Sequence, residues 1–187
     1  MRTVFLDRDG VLNEKAPEGE YIWRRQDFRV LEGVPEAIAC LNRAGLRVVV
    51  ATNQRGVALG RYSLADVHAL HADFQKRLAE RGAHIDAFYV CPHGGGDCNC
   101  RKPLPGLFQQ AVAEFPEIDA ETSVMVGDSR IDIEFARGTG MRAILVEAGA
   151  ENRAPGSEKA AELADLRCSS LREAVEAILN QGSLDHN

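Results

Sequence analysis

Residues 3–13 read Thr3-Val4-Phe5-Leu6-Asp7-Arg8-Asp9-Gly10-Val11-Leu12-Asn13. An apolar run stops at two carboxylates spaced one residue apart, and a glycine follows. Val4, Phe5 and Leu6 have the length and composition of a buried strand. Asp7 and Asp9 then stand at or just past its C-terminal end, where open α/β sheets place their ligand sites. Alternate residues leaving a strand point the same way, so both acids can face one pocket. Two carboxylates that close repel unless a proton or a cation lies between them. A hard, oxygen-seeking ion such as Mg²⁺ meets that need and usually brings phosphate with it. A strand followed by an Asp-Gly turn with two solvated acids is the competing reading. The rest of the chain has to separate the two.

Outward from this stretch, apolar strands alternate with helical periodicity. A connection of residues 11–32 leads to a helix over 34–44, with Pro35 early and Gly45 just past its end. A second strand over 46–51 runs into Thr52-Asn53-Gln54-Arg55-Gly56. A long helix over 63–81 starts on Ser63 with Asp66 three residues on, and Gly82 stops it. Leu64, Val67, Leu70, Phe74 and Leu78 make its buried stripe, with His68 and His71 as flanking surface or boundary residues. A third strand over 85–90 enters a cysteine-bearing loop. A helix over 105–115, a strand over 123–126, a short helix to Arg137 and a strand over 142–146 follow. A Gly/Pro/Ala-rich loop over 147–157, an edge strand over 166–168, a helix over 171–179 and a frayed tail over 182–187 close the chain. This alternation predicts a doubly wound, mostly parallel, Rossmann-like α/β sheet with helices on both faces.

The 187 residues are 45% hydrophobic and 27% charged, which suits one domain over 1–187 with a full core. Lys and Arg number 22 against 28 Asp and Glu, a formal net charge of -6. That balance argues against a nucleic-acid partner or a membrane surface. There is no apolar run long enough to span a bilayer and no signal-type start, so a cytoplasmic protein is expected. The five cysteines are then thiols or metal ligands rather than disulfides. A monomer is the expectation for the chain.

In a parallel sheet the strand ends share one edge. Asp7 and Asp9 come from the first strand, Thr52 from the second, Arg101 and Lys102 from beyond the third, and Asp128 from the fourth. Acids, a hydroxyl and cations on one edge are what metal-assisted phosphoryl transfer requires: a nucleophile, an ion and positive groups for the phosphoryl oxygens. Each piece alone has an ordinary alternative: Thr52-Asn53 starts a turn, Lys102 is a surface lysine, Asp128 caps a helix. That all are innocent together is much the weaker reading.

These residues carry a resemblance. Residues 5–13 resemble the first motif of the haloacid dehalogenase superfamily of phosphatases, and 49–54 its second. Lys102 looks like the third motif, and Gly127-Asp128-Ser129-Arg130-Ile131-Asp132 like the fourth. The chain from Val4 to about Val146 is similar to the heptose-bisphosphate and histidinol-phosphate phosphatase branch. The resemblance implies that Asp7 is the nucleophile, Asp9 the acid and base, and that Thr52 and Lys102 bind the phosphoryl oxygens. It implies catalytic Mg²⁺ held by Asp7, the Asp9 carbonyl and Asp128, with Asp132 orienting metal-bound water. It places Tyr21, Asn53, Gln54, Arg55 and Arg101 on the substrate, a small phosphorylated sugar. The implied reaction removes the 7-phosphate of a heptose 1,7-bisphosphate made for lipopolysaccharide or surface-polysaccharide precursors. Histidinol phosphate and a nucleic-acid 3′-phosphate are rival substrates, and a zinc-stabilised binding module is the non-enzymatic alternative. Neither 10–32 nor 92–103 is long enough for a separate cap domain, so an open site is expected. Close heptose phosphatases often carry Lys where this chain has Ser129, which leaves the substrate and its anomer open.

Cys91, His93, Cys98 and Cys100 form C-x-H and then C-x-C within the loop 91–100. Three thiolates and an imidazole make a closed tetrahedral shell for structural Zn²⁺, with no position left for catalysis. The ion would stiffen the loop that delivers Arg101 and Lys102. An unligated, reduced loop is the alternative. Cys40 and Cys168 fall in other elements and are expected to pack. For the second phosphate of a bisphosphate, Lys15, Arg24, Arg25, Arg55 and Arg101 are the candidate cations.

Overall fold

A computed structural model describes residues 2–96, 98–147 and 157–182. Its centre is one six-stranded, all-parallel sheet: β1 (Thr3–Leu6), β2 (Arg47–Asn53), β3 (Ala87–Cys91), β4 (Ser123–Gly127), β5 (Arg142–Val146) and β6 (Leu166–Cys168), in the order β3-β2-β1-β4-β5-β6. Period-two alternation in the strands decides which residues meet which layer. Val4, Leu6, Val48, Val50, Val124 and Val126 join one buried cluster with α1 (Val34–Arg43), α2 (Leu64–Ala79) and α6 (Leu171–Gly182). Phe5, Val49, Ala51, Met125 and Ala143 join the other with α3 (Gly106–Glu114), α4 (Arg130–Thr139) and α5 (Ser157–Leu163). The near-continuous apolar strands are thus covered on both faces.

Strand order reverses at β1. The chain leaves β1 toward β2 and β3, then crosses to the other side for β4. Such switch points open a crevice beyond the strand ends, and here the ends of β1, β2 and β4 border it. Segment 11–32 folds back beside this crevice instead of forming a domain. Its ends are tied by Glu14 N–H to Arg29 O (2.9 Å) and Leu31 N–H to Leu12 O (3.0 Å). Among the described residues no helix is long and apolar enough to cross a membrane.

Three expectations need correcting. His71 is buried at 3% exposure, not on a flank. The buried stripe of α2 is Val67, Leu70, His71, Phe74 and Leu78, with Leu64 at its edge. His71 stacks on Phe88 from β3, with ring centroids 4.5 Å apart. Helix α4 does not stop at Arg137: it passes through Gly138 and ends at Gly140, whose φ of 83° is the left-handed cap. Ser157, expected to end the loop, instead opens α5 (Ser157–Leu163). The rest of that Gly/Pro/Ala-rich stretch, 148–156, lies outside the described residues, as does the predicted tail beyond 182.

Candidate active site

Asp7 is the first residue after β1, and its N–H still bonds Val126 O on β4 (3.0 Å). The main-chain ladder therefore fixes where its carboxylate emerges. Lys102, which the notion of a surface lysine would leave in solvent, is 2% exposed. Its Nζ donates to Asp7 Oδ1 (2.8 Å) and Asp132 Oδ1 (2.6 Å). The Lys102 peptide is clamped by Asn53, whose Nδ2 donates to Lys102 O (3.1 Å) and whose Oδ1 accepts from Lys102 N (3.0 Å). A lysine brought from a loop is thus held at the strand edge by β2.

Asp132 serves two structures at once. One oxygen accepts from Lys102, and the other accepts from Ser129 N (3.2 Å) and Ser129 Oγ (2.5 Å) at the start of α4. Ser129 is therefore a helix-capping residue. Gly127 lets Asp132 come this close, because a Cβ there would overlap the Asp132 side chain.

One carboxylate oxygen each from Asp7, Asp128 and Asp132 lies within 4.8 Å of the others. Burial lifts Asp7 to about 6, against the opposing pull of Lys102. Burial likewise lifts Asp128 to about 7, opposed by Lys15 and reinforced by Asp7 and Asp132. Burial alone would lower Lys102, but the facing Asp132 and Asp7 charges win and hold it firmly protonated. Lys15 reaches in to pair with Asp128, and its ammonium is held protonated there. Crowded, oxygen-only acids that resist ionisation suit a hard divalent cation. Gly10, at φ 95°, makes room: a Cβ would overlap Asp128 Oδ2.

Asp9 stands beside this cluster, partly exposed, with its oxygens surrounded by donors from Arg8, Asn13 and Gln54. Arg8 is 1% exposed and also donates to Ile22 O (2.7 Å), which ties segment 11–32 to the site. The resulting cleft is lined by Asp7, Asp9, Thr52, Asn53, Lys102 and Asp128, with Lys15, Arg101, Ser129 and Ile131 toward its mouth; its volume is ≈ 200 Å³.

At the end of β3, Cys91, His93, Cys98 and Cys100 place their ligand atoms within 4.8 Å of one another. Sulfur and imidazole separations run from His93 Nδ1 to Cys100 Sγ at 3.2 Å to Cys91 Sγ to His93 Nδ1 at 3.8 Å. A tetrahedron with arms of ~2.3 Å has edges of about 3.7 Å, so the cluster has the dimensions of a metal shell. All the cysteines but Cys40 and Cys168 meet here with His93, three thiols and one imidazole, and no cysteine is in a disulfide.

The structure sorts the remaining sequence candidates. Thr52 lines the cleft and accepts from Gln54 Nε2 (2.9 Å). Gln54 is buried behind Asp9 and does not line the cleft. Asn53 faces it, but its amide is spent on Lys102. Arg55 is exposed and lies apart from the lining residues. Tyr21 packs edge-on against Tyr62, with centroids 5.9 Å apart, and is also outside the lining. Arg24 stacks on Trp23 and Arg25 pairs with Asp73, so of the candidate cations Lys15 and Arg101 reach the cleft. Sequence reasoning gave no role to Arg8, Asn13 or Tyr62. The available signal was an arginine placed between two acids that must not both be solvated.

Comparison with known proteins places the chain in a family. A HAD-hydrolase-like family model matches residues 99–174, a span that holds Lys102, Asp128 and Asp132. A D-glycero-β-D-manno-heptose-1,7-bisphosphate 7-phosphatase of Pseudomonas putida is 41% identical over 154 residues, covering 82% of this chain and 86% of the relative. This chain belongs to the haloacid dehalogenase-like phosphatases, in their heptose-bisphosphate phosphatase family. Another member, a D-glycero-α-D-manno-heptose-1,7-bisphosphate 7-phosphatase of Mycobacterium tuberculosis, is 41% identical over 134 residues, or 71% of this chain and 70% of that one. The fold of the family is seen in D,D-heptose 1,7-bisphosphate phosphatase from B. bronchiseptica, solved with magnesium and phosphate. It superposes with a TM-score of 0.84 at 33% identity and covers 97% of this chain and 99% of that one. Family members with different anomers in their names thus share the same identity over their aligned stretches, 41%.

Proposed function

We propose that this chain is a Mg²⁺-dependent phosphatase that removes the 7-phosphate of D-glycero-D-manno-heptose 1,7-bisphosphate in the cytoplasm, acting as a monomer. The observation that carries this is the placement of Lys102 Nζ between Asp7 and Asp132, at the spot where Asp128 also converges. Asp7, Asp128 and the Asp9 carbonyl would hold Mg²⁺, which when bound offsets the charge between the acids and a phosphoryl group.

The chain's own groups account for the remaining chemistry. The Asp7 carboxylate attacks phosphorus, forming an acyl–phosphate bond as the bond to the sugar oxygen breaks. Asp9 gives its proton to that leaving oxygen. Asp9 then takes a proton from water, whose oxygen attacks phosphorus and returns Asp7 as inorganic phosphate departs. Lys102 and the Thr52 hydroxyl meet the phosphoryl oxygens, and the buried setting of Lys102 strengthens that contact. Asp132 keeps Lys102 aimed. Arg101 and Lys15 at the cleft mouth are the cations placed to meet the second phosphate, with Asn53, Gln54, Arg55 and Tyr21 not needed as direct ligands. Cys91, His93, Cys98 and Cys100 hold structural Zn²⁺, which fixes the loop ahead of Arg101 and Lys102.

The test is phosphate release from both anomers of heptose 1,7-bisphosphate and from histidinol phosphate, with and without Mg²⁺. Turnover of a heptose bisphosphate that needs Mg²⁺ and vanishes in Asp7→Asn is expected. Undiminished turnover by Asp7→Asn would remove the nucleophile assignment. Faster turnover of histidinol phosphate would replace the substrate.

A further inference from the structure

Asp9 is gripped at every in-plane position its carboxylate offers. Oδ1 accepts from Arg8 Nη2 (2.9 Å) and Asn13 Nδ2 (2.9 Å). Oδ2 accepts from Arg8 Nε (3.2 Å) and Gln54 Nε2 (3.1 Å). A carboxylate oxygen has two such acceptor sites, so all are taken. An acid and base must nevertheless offer one of them to a reacting oxygen. One of these donors has to give way in each cycle.

The donors differ in what their departure costs. Arg8 is a buried cation, and removing it from Asp9 would strand a charge among apolar groups. Asn13 is neutral but is locked into the same turn as Asp9, where its N–H bonds Arg8 O (3.2 Å) and its carbonyl accepts from Gly10 N (2.7 Å), so its amide cannot withdraw without the turn. Gln54 is neutral, and its amide nitrogen already has a second acceptor in Thr52 Oγ1 at 2.9 Å. When it lets go of Asp9, it keeps a partner. The Tyr62 hydroxyl donates to Gln54 Oε1 (2.8 Å), which fixes the amide with its N–H₂ toward Asp9.

We infer that Gln54 is a positioning residue for Asp9: it parks the carboxylate at the cleft edge, and on letting go it frees Oδ2 to turn toward the reacting oxygen in the cleft. This rests on the acid and base role of Asp9 given above. It also replaces the expectation that Gln54 contacts substrate, since Gln54 is buried and absent from the cleft lining.

Leaving-group chemistry tests the assignment. A sugar oxygen needs Asp9 to protonate it, whereas p-nitrophenolate leaves unaided; both routes need Asp9 for the second step. Gln54→Leu removes the donor, and Gln54→Glu keeps the side-chain volume while placing an acceptor there. With heptose bisphosphate, each should lose about tenfold or more in kcat with KM changed less than about twofold. With p-nitrophenyl phosphate, each should still give a burst of about one p-nitrophenolate per chain, followed by slow turnover. The burst shows a folded protein with a working nucleophile, and Gln54→Glu decides the matter if Gln54→Leu does not fold. A raised KM at unchanged kcat would make Gln54 a substrate ligand and overturn the inference. So would equal losses in the burst and in sugar-phosphate turnover, which mark a packing role. Wild-type protein inactive on both substrates would instead remove the phosphatase reading itself, and the inference with it.

Discussion

Lys102 and Asp132 form an ion pair of 2.6 Å in which both side chains are 2% exposed. Asp132 supplies one of the two carboxylates that make a buried ammonium tolerable, and Asp7 supplies the other. Breaking a buried pair by removing one partner typically costs about 3–5 kcal/mol, because the remaining charge is left uncompensated. Asp132→Ala leaves Lys102 paired with Asp7 alone, so it should destabilise the protein by up to about 3 kcal/mol in urea denaturation. It also uncaps α4. Asp132→Asn, which still offers an acceptor, should cost less and lower kcat by misaiming Lys102. A Lys102→Met/Asp132→Leu double variant that is no more stable than Asp132→Ala would refute this account.

The crowded carboxylates predict how metal and pH combine. Asp7 at about 6 and Asp128 at about 7 both lie above the ordinary aspartate value of 3.8. Each binds a proton more readily in the folded state, so its stabilisation is complete below about pH 4. That stabilisation is lost as pH rises through about 6 and 7. A divalent cation between the acids relieves this loss. Mg²⁺ should raise the melting temperature more at pH 8 than at pH 5, by about 3 °C or more. An equal shift at both pH values would show that these acids do not share the ion.

The cysteine cluster predicts a coupling between two metals. Gln54 N–H bonds Cys91 O (2.7 Å), and Asn53 clamps the Lys102 peptide, so the loop and β2 form one unit. A thiol-reactive chelator that removes Zn²⁺ while Mg²⁺ is held in excess should release about one Zn per chain and lower kcat. Cys98→Ser should melt earlier and retain less metal. Full activity after zinc release would separate the loop from the chemistry.

His71 predicts a distinct acid sensitivity. Burial holds its imidazole near 3, helped by Arg8 and opposed by the Asp9 charge, with His68 a small further push downward. Neither ring nitrogen has a hydrogen-bond partner among the described residues. The unfolded chain binds a proton near pH 6.5 that the folded chain refuses. Stability is therefore intact above about 6.5 and falls toward pH 3, with a slope of up to about 1.4 kcal/mol per pH unit. His71→Phe keeps the stack on Phe88 and should raise the melting temperature at pH 5 more than at pH 8. The same change at both values would place the acid sensitivity elsewhere.

Much of this protein follows from local sequence. Val4 to Leu6, Val48 to Ala51 and Val124 to Val126 are apolar runs that only a sheet covered on both faces can satisfy. The Ser63–Asp66 capping box starts α2, and Gly45 and Gly82 mark stops, through physics confined to a turn or two. Asp7, Asp9, Asp128 and the cysteine cluster could likewise be picked out, because like charges and soft ligands at short spacing need a reason. What local pattern could not settle was which long side chains turn inward. Lys102 is buried because carboxylates from other elements, Asp7 and Asp132, meet it there, and Arg8 because Ile22 O and the Phe28 ring close over it beside the neighbouring Asp9. Gln54 and Asn53 look like substrate ligands in sequence, yet their amides are used by Asp9 and Lys102, partners 45 and 49 residues away. His71 sits in the core only because β3 brings Phe88 to it. Periodicity reports the face a residue occupies on its own element; whether that face meets solvent, a charge or a ring is decided by the packing of elements distant in the chain.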